Sequence, residues 1–85
     1  MRKLGNRVAI ITGASRGIGP YLARALSAEG MRLVLAARSL PELEAVAAEI
    51  NGAGGKAIAV QTDVLSADDR RRLVETAKAA LPSAA

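Results

Sequence analysis

The chain has 85 residues, with no cysteine, histidine, tryptophan or phenylalanine and one tyrosine, so it has room for one domain whose core must come from Val, Ile, Leu and Ala. The absent cysteines exclude disulfides and thiolate metal sites, and the absent histidines remove the commonest general base and metal ligand. Net charge is +4 but unevenly spread: residues 1–38 hold seven Arg or Lys and one Glu, residues 39–85 five basic and seven acidic residues.

The first element is a strand over residues 7–12, through Val8-Ala9-Ile10-Ile11. Its apolar run does not alternate, which suits a parallel strand covered on both faces. It is too short for a signal peptide despite the basic start Met1-Arg2-Lys3, and no segment is long enough to span a membrane. A cytoplasmic location without a membrane partner is therefore expected. The strand stops at Thr12-Gly13-Ala14-Ser15-Arg16-Gly17-Ile18-Gly19, where the glycines read G-x-x-x-G-x-G. Strand, glycine turn and helix N-terminus in succession form a phosphate-binding device, because the first helical N–H groups lack backbone partners and the helix dipole is positive there. Gly13 lets the chain leave the strand, Gly17 lets a pyrophosphate approach the backbone, and Gly19 lets the helix pack close to the strand. Thr12 is expected to tie the strand end to its neighbour.

A first helix follows from Ile18 to Glu29, with Ile18, Leu22, Ala25 and Leu26 as its apolar face and Pro20 in its first turn. Gly30 ends it in a left-handed conformation. Arg32 to Ala37 is a second apolar strand. Ser39-Leu40-Pro41-Glu42 reads as a capping box for a second helix, which carries Leu43, Val46, Ala47 and Ile50 on one face. That helix ends at Asn51-Gly52, with Gly54-Gly55 in the loop. Lys56 to Gln61 forms the third strand, closed by Thr62-Asp63-Val64. Ser66 and Asp69 repeat the capping signal before a third helix that presents Leu73, Val74, Ala77 and Leu81. Arg70, Arg71 and Arg72 read as a solvated face. Pro82 ends the helix, which divides the chain into a folded unit over 1–81 and a frayed tail over 82–85.

The order β-α-β-α-β-α predicts an α/β fold: three parallel strands in the order 3-2-1 with three helices, a Rossmann-like half with right-handed crossovers. The first two helices then cover one sheet face and only the third reaches the other. The first strand is left with an open and unusually apolar edge. Hydrophobic residues make up 51% of the chain. A chain this short does not bury that much apolar surface, so further structure from the same or another chain is expected. Stacking aromatics and nucleic-acid motifs are absent, and no nucleic-acid partner is expected.

The second strand ends Ala36-Ala37-Arg38, without the acid that binds the ribose hydroxyls of NAD. Arg38, together with Arg16 from the glycine turn, suits the 2′-phosphate of NADP(H), which two guanidiniums hold through charge-assisted bonds.

The octapeptide Thr12 to Gly19 resembles, residue for residue, the cofactor motif of the short-chain dehydrogenase/reductase family. The resemblance covers residues 5–81 but only the N-terminal third of a typical member. It implies an oxidoreductase that reduces a carbonyl or oxidises an alcohol, with basic residues at positions such as Arg16 and Arg38 in the NADP-preferring members. It further implies that Ser15 and Ile18 contact ribose and pyrophosphate, that Ser39 adds a hydroxyl to the 2′-phosphate, and that Asp63-Val64 forms the adenine site. The family's catalytic Tyr-x-x-x-Lys pair, serine and asparagine lie beyond the fourth strand. Tyr21 is followed four residues on by Ala25 rather than lysine, and reads as a packing or surface residue. No catalytic residue and no metal ligand is therefore assigned, and the 85-residue chain alone is expected to be inactive. The alternative reading is a non-catalytic nucleotide-binding or assembly module completed by another chain, in which a homo-oligomer is one arrangement.

Overall fold

Strands and helices alternate as β1 (Val8–Thr12), α1 (Ile18–Ala28), β2 (Arg32–Ala37), α2 (Leu40–Gly52), β3 (Lys56–Gln61) and α3 (Ala67–Ala79). These come from a computed structural model that describes residues 7–80; the expected helix end at Leu81-Pro82 and the tail 82–85 lie outside the described residues. The strands are parallel in the order β1-β2-β3, the expected 3-2-1 arrangement with β2 in the centre. Ile11, Leu35 and Ala59 share one row of the sheet, and Ile10, Val34 and Ile58 the next. Successive rows point to opposite faces.

On one face Ile11, Leu33 and Leu35 pack against Ala23 of α1 and Leu43, Val46, Ala47 and Ile50 of α2. On the other, Val34 and Ala36 lie under Leu73 and Ala77 of α3. β2 is therefore buried on both sides, while on the α3 face β1 and β3 are covered only in part, through Val8 and Val60. Ile10 of β1 is 42% exposed and Ile58 of β3 is 46% exposed, contrary to the expectation that the first strand is covered on both faces. A single helix is about as wide as two strand spacings, and α3 lies over β2 and β1, with Val8 of β1 packed against its cluster.

The α2 face is the one expected. The α1 face is met only in part: Leu26 packs against the core as expected, but Gly19 and Ala23 are the buried residues, while Ile18, Leu22 and Ala25 are exposed. Small residues let α1 approach the turn and sheet closely, which turns the larger apolar stripe outward. Val74 of α3 is likewise exposed. Both α1 and α2 end in the same way. Gly30 (φ +90°) donates to the Ser27 carbonyl and Met31 to that of Leu26; Gly54 (φ +94°) donates to Asn51 and Gly55 to Ile50. These paired bonds satisfy carbonyls that the helix leaves free. Asn51 also brackets Ala57 of β3, its amide donating to the Ala57 carbonyl at 3.0 Å and its oxygen accepting the Ala57 N–H at 2.9 Å.

The two expected caps differ. Ser66 caps α3, its hydroxyl accepting the Asp69 N–H at 3.2 Å. Ser39 occupies the N-cap of α2 with extended backbone but makes no side-chain cap bond. Its hydroxyl instead helps, with Arg16, to hold the Glu42 carboxyl below its ordinary pKa.

Candidate functional site

The turn between β1 and α1 is pinned from inside. Ala14 is fully buried, and its N–H donates to the Ala36 carbonyl at the end of β2 at 3.2 Å. That backbone bond, with the Thr12–Ala36 pairing, ties the two strand ends, so Thr12 serves as expected through its backbone while the residue itself is exposed. Gly17 forms the N-cap of α1 at φ +64° and ψ −131°, a conformation that L side chains rarely adopt. Gly13 has the same φ. Gly19 is required for space rather than conformation. A Cβ there would lie 2.5 Å from the Gly13 carbonyl oxygen and 2.7 Å from the Ala14 Cα, so the close approach is to the turn backbone. No side chain caps α1 and no acid stands in its first turn, whereas α2 has Glu42 there and α3 has Asp68 and Asp69. The positive end of α1 thus has no local carboxylate to offset it.

The three turns that follow the strands enclose an open cleft of about 630 Å³ at their C-terminal ends. Gly13, Ser15 and Arg16 come from the first turn, Ala36 to Ser39 from the second and Thr62 to Leu65 from the third. The cleft thus gathers Gly13, Ser15, Arg16, Arg38, Ser39, Asp63 and Val64 of the expected residues. Gly17, Ile18 and Gly19 stand beside it at the start of α1, where the Ile18 side chain is 81% exposed. The volume lies in the usual range for a ligand site. Arg38 is exposed at its lip and makes no ion pair among the described residues. Arg16 pairs with Glu42, Nη2 to Oε1 at 3.2 Å, with 77% of the Arg16 side chain exposed. Solvent-exposed pairs of this kind are weak, so Arg16 can exchange Glu42 for a stronger anion.

The third turn is built from side chains as much as backbone. Asp63 Oδ1 accepts the Leu65 N–H at 2.9 Å, and the Asp63 N–H donates to Asp69 Oδ2 at 2.8 Å. Arg70 Nη1 donates to the Val64 carbonyl at 2.5 Å, and Arg72 Nη2 donates to the Gln61 carbonyl at 3.1 Å and to Asp69 Oδ1 at 3.2 Å. Gln61 in turn donates to the Arg38 carbonyl at 3.1 Å, while Thr62, buried, donates its N–H to Ala37 at 2.9 Å. Two of the three arginines read as a solvated face are therefore tied to the cleft loop. Asp69 and Thr62 are site residues that sequence reasoning missed. The signal for Asp69 was its spacing of three from Arg72 on a helix.

A second concavity, about 470 Å³, lies at the other end of the strands between the C-termini of α1 and α2, next to the Arg24–Glu49 pair at 2.6 Å. Helix C-termini carry partial negative charge, so that end is the wrong one for a phosphate. Tyr21 is 76% exposed on α1, its ring 6.0 Å from the Arg24 guanidinium. Among the described residues no three His, Cys, Asp or Glu side chains are grouped to hold a metal ion, and no helix is long and apolar enough to cross a membrane.

Comparison with known proteins gives a consistent answer. The chain is 49% identical over 77 residues to the 3-oxoacyl-[acyl-carrier-protein] reductase of Synechocystis sp., covering 89% of this chain and 31% of that protein. It is 50% identical over 78 residues to an uncharacterized oxidoreductase of Methylorubrum extorquens, covering 91% of this chain and 32% of the relative. Among solved structures, a metagenomic short-chain oxidoreductase in complex with NADP superposes with a TM-score of 0.85 at 42% identity, over 92% of this chain and 35% of that one. A short-chain dehydrogenase/reductase from Burkholderia phymatum in complex with NAD gives 0.88 at 33% identity, over 95% and 29%. The chain thus spans about a third of the length of the curated relatives it matches. A profile of the short chain dehydrogenase family matches residues 7–83, and the chain belongs to that family.

Proposed function

We propose that this chain is the cofactor-binding N-terminal portion of an NADP(H)-dependent oxidoreductase that interconverts a carbonyl and an alcohol in the cytoplasm. The observation that carries the choice of NADP(H) is Arg38. It stands exposed and, among the described residues, without an ion pair at the end of β2, where NAD-selective sites use an acid, on the lip of the cleft that also holds Arg16 and Ser39. The two structural relatives hold NADP in one case and NAD in the other, so the assignment rests on the residues of this chain.

In this reading the uncapped start of α1 and the Gly13–Gly19 turn receive the pyrophosphate, with Ser15 and Ile18 at ribose and pyrophosphate. Arg38, Arg16 and Ser39 hold the 2′-phosphate. The second Asp63 carboxylate oxygen accepts from the adenine amine, and Val64 packs on the ring. When bound, the nicotinamide supplies the hydride chemistry. The chain's own residues bind and orient; none is assigned a proton-transfer role, and the 85 residues alone are inactive. The exposed Ile10 and the outward stripe of Ile18 and Leu22 favour a unit that works joined to further structure, from its own polypeptide or from another chain.

Calorimetric titration of the purified chain with NADP+ and with NAD+ tests the reading. A guanidinium–phosphate bond contributes roughly 1.5–3 kcal/mol, so NADP+ should bind at least about tenfold tighter, and Arg38→Asp should remove the preference. Equal affinity for the two dinucleotides would overturn the assignment, as would turnover of NADPH with a carbonyl substrate by the 85-residue chain for the claim of inactivity.

A further inference from the structure

We infer that Asp69 is a positioning residue for the base end of the cofactor cleft, acting through Asp63. The inference rests on the reading of Asp63 as the acceptor for the adenine amine. Leu65 N–H engages Asp63 Oδ1 at 2.9 Å, which leaves the second oxygen as the freer acceptor for a ligand, and its direction depends on where the Asp63 backbone is held. Asp69 holds it. Its Oδ2 accepts the Asp63 N–H at 2.8 Å, a short charge-assisted bond, while its Oδ1 takes Arg72 at 3.2 Å. Asp69 is fixed in turn by its own N–H, which donates to the Ser66 hydroxyl at 3.2 Å, and its side chain is only 25% exposed.

Arg72 completes the arrangement. The same Nη2 that pairs with Asp69 donates to the carbonyl of Gln61 at 3.1 Å, at the other root of the loop, and Gln61 reaches the Arg38 carbonyl. The first two turns of α3 thereby grip both ends of the segment that carries Asp63. The grip needs an ionised acceptor with two oxygens: one for the loop N–H and one for the guanidinium. Asp68, its neighbour, pairs only with Arg71 at 3.3 Å, is 88% exposed and touches no part of the loop. It supplies the same first-turn charge without the grip.

The test compares NADP+ with its hypoxanthine analogue, in which a carbonyl replaces the adenine amine. The wild-type chain should prefer the adenine form by about tenfold, the worth of one hydrogen bond to a carboxylate. Asp69→Asn, which offers one oxygen to two donors, should cut that ratio to about threefold or less. Asp68→Asn, the same loss of charge one residue earlier, should keep it. In the ligand-free chain, Asp69→Asn should also speed hydrogen exchange at the Asp63 amide while leaving the far-ultraviolet spectrum unchanged. If both variants keep the wild-type ratio, or both lose it, Asp69 has no positioning role and only this inference is overturned. A wild-type chain that binds both forms equally, or neither, overturns the adenine reading and the inference with it.

Discussion

Gly19→Ala is the sharpest probe of how the glycine turn is built. The added Cβ would sit 2.5 Å from the Gly13 oxygen, 2.7 Å from the Ala14 Cα and 3.1 Å from the Ala14 carbonyl carbon. The first of these is roughly 1 Å short of ordinary van der Waals separation. All three obstacles are backbone, so no rotamer change relieves them. Ala14 cannot recede either, being fully buried and bonded to the Ala36 carbonyl. Overpacking costs about 1–3 kcal/mol, and a rigid obstacle puts this site at the upper end. Against it stands at most about 1 kcal/mol of gained helix propensity. The net expectation is a loss of about 2 kcal/mol, or a fall in Tm of roughly 10 °C for a domain this size. Urea unfolding followed by circular dichroism measures it, with Gly52→Ala as the internal control. Gly52 sits in the last turn of α2 with nothing within 4 Å of its virtual Cβ, so that variant should be neutral or stabilised. If the two variants behave alike, steric closeness is not why glycine stands at 19.

Three further outcomes are expected. Ser66→Ala should lower stability by about 1 kcal/mol through loss of the α3 cap, read as a lower urea midpoint with an unchanged slope. Leu35→Ala, in the fully buried centre of β2, should cost about 2–5 kcal/mol and leave a chain of this size without a cooperative transition. The pair Arg24–Glu49 should show in acid. Arg24 holds the Glu49 carboxyl below its ordinary value of 4.5, so its contribution is present above that pH and is lost as pH falls through the lowered value. The difference in urea midpoint between wild type and Glu49→Gln should therefore be constant from neutral pH to the ordinary carboxylate range and vanish below it.

What could be read from the residues depended on whether a single periodicity was present. In α2, Leu43, Val46, Ala47 and Ile50 are the only apolar stripe available, and all four are buried. In α1 two stripes compete, and size misleads. Ile18, Leu22 and Ala25 have the stronger apolar pattern, but Gly19 and Ala23 have the small volume that contact with the turn demands. Gly13, Arg38 and Asp63, singled out for their residue type, do line the cleft. The cleft was illegible where the role is relational. Arg70 and Arg72 look like solvent-facing charge until the loop that they hold is in place. The partner of Arg16 was equally hidden, since Glu42 lies 26 positions away and meets it only when α2 packs beside the first turn.

The arrangement of helices carries a last consequence for the free edge of β1. A right-handed crossover with its helix on the α1 and α2 face moves from β1 toward β3; one with its helix on the α3 face must move the opposite way. A strand following α3 therefore belongs beside β1, where Ile10 is 42% exposed, while Val34, its partner in the same row of the sheet, is fully buried. The two positions should answer the same substitution differently. Lysine at 34 places a charge under α3 with no partner and should abolish folding. Lysine at 10 forfeits only partial burial, about 1 kcal/mol, and keeps its charge in water by extending past the edge. Any association of copies through this edge should weaken as well, because an inward or edge lysine blocks strand-to-strand pairing. Urea unfolding and sedimentation at two concentrations separate these effects. If Ile10→Lys unfolds the chain as completely as Val34→Lys, the β1 edge is part of the closed core and is not an open edge.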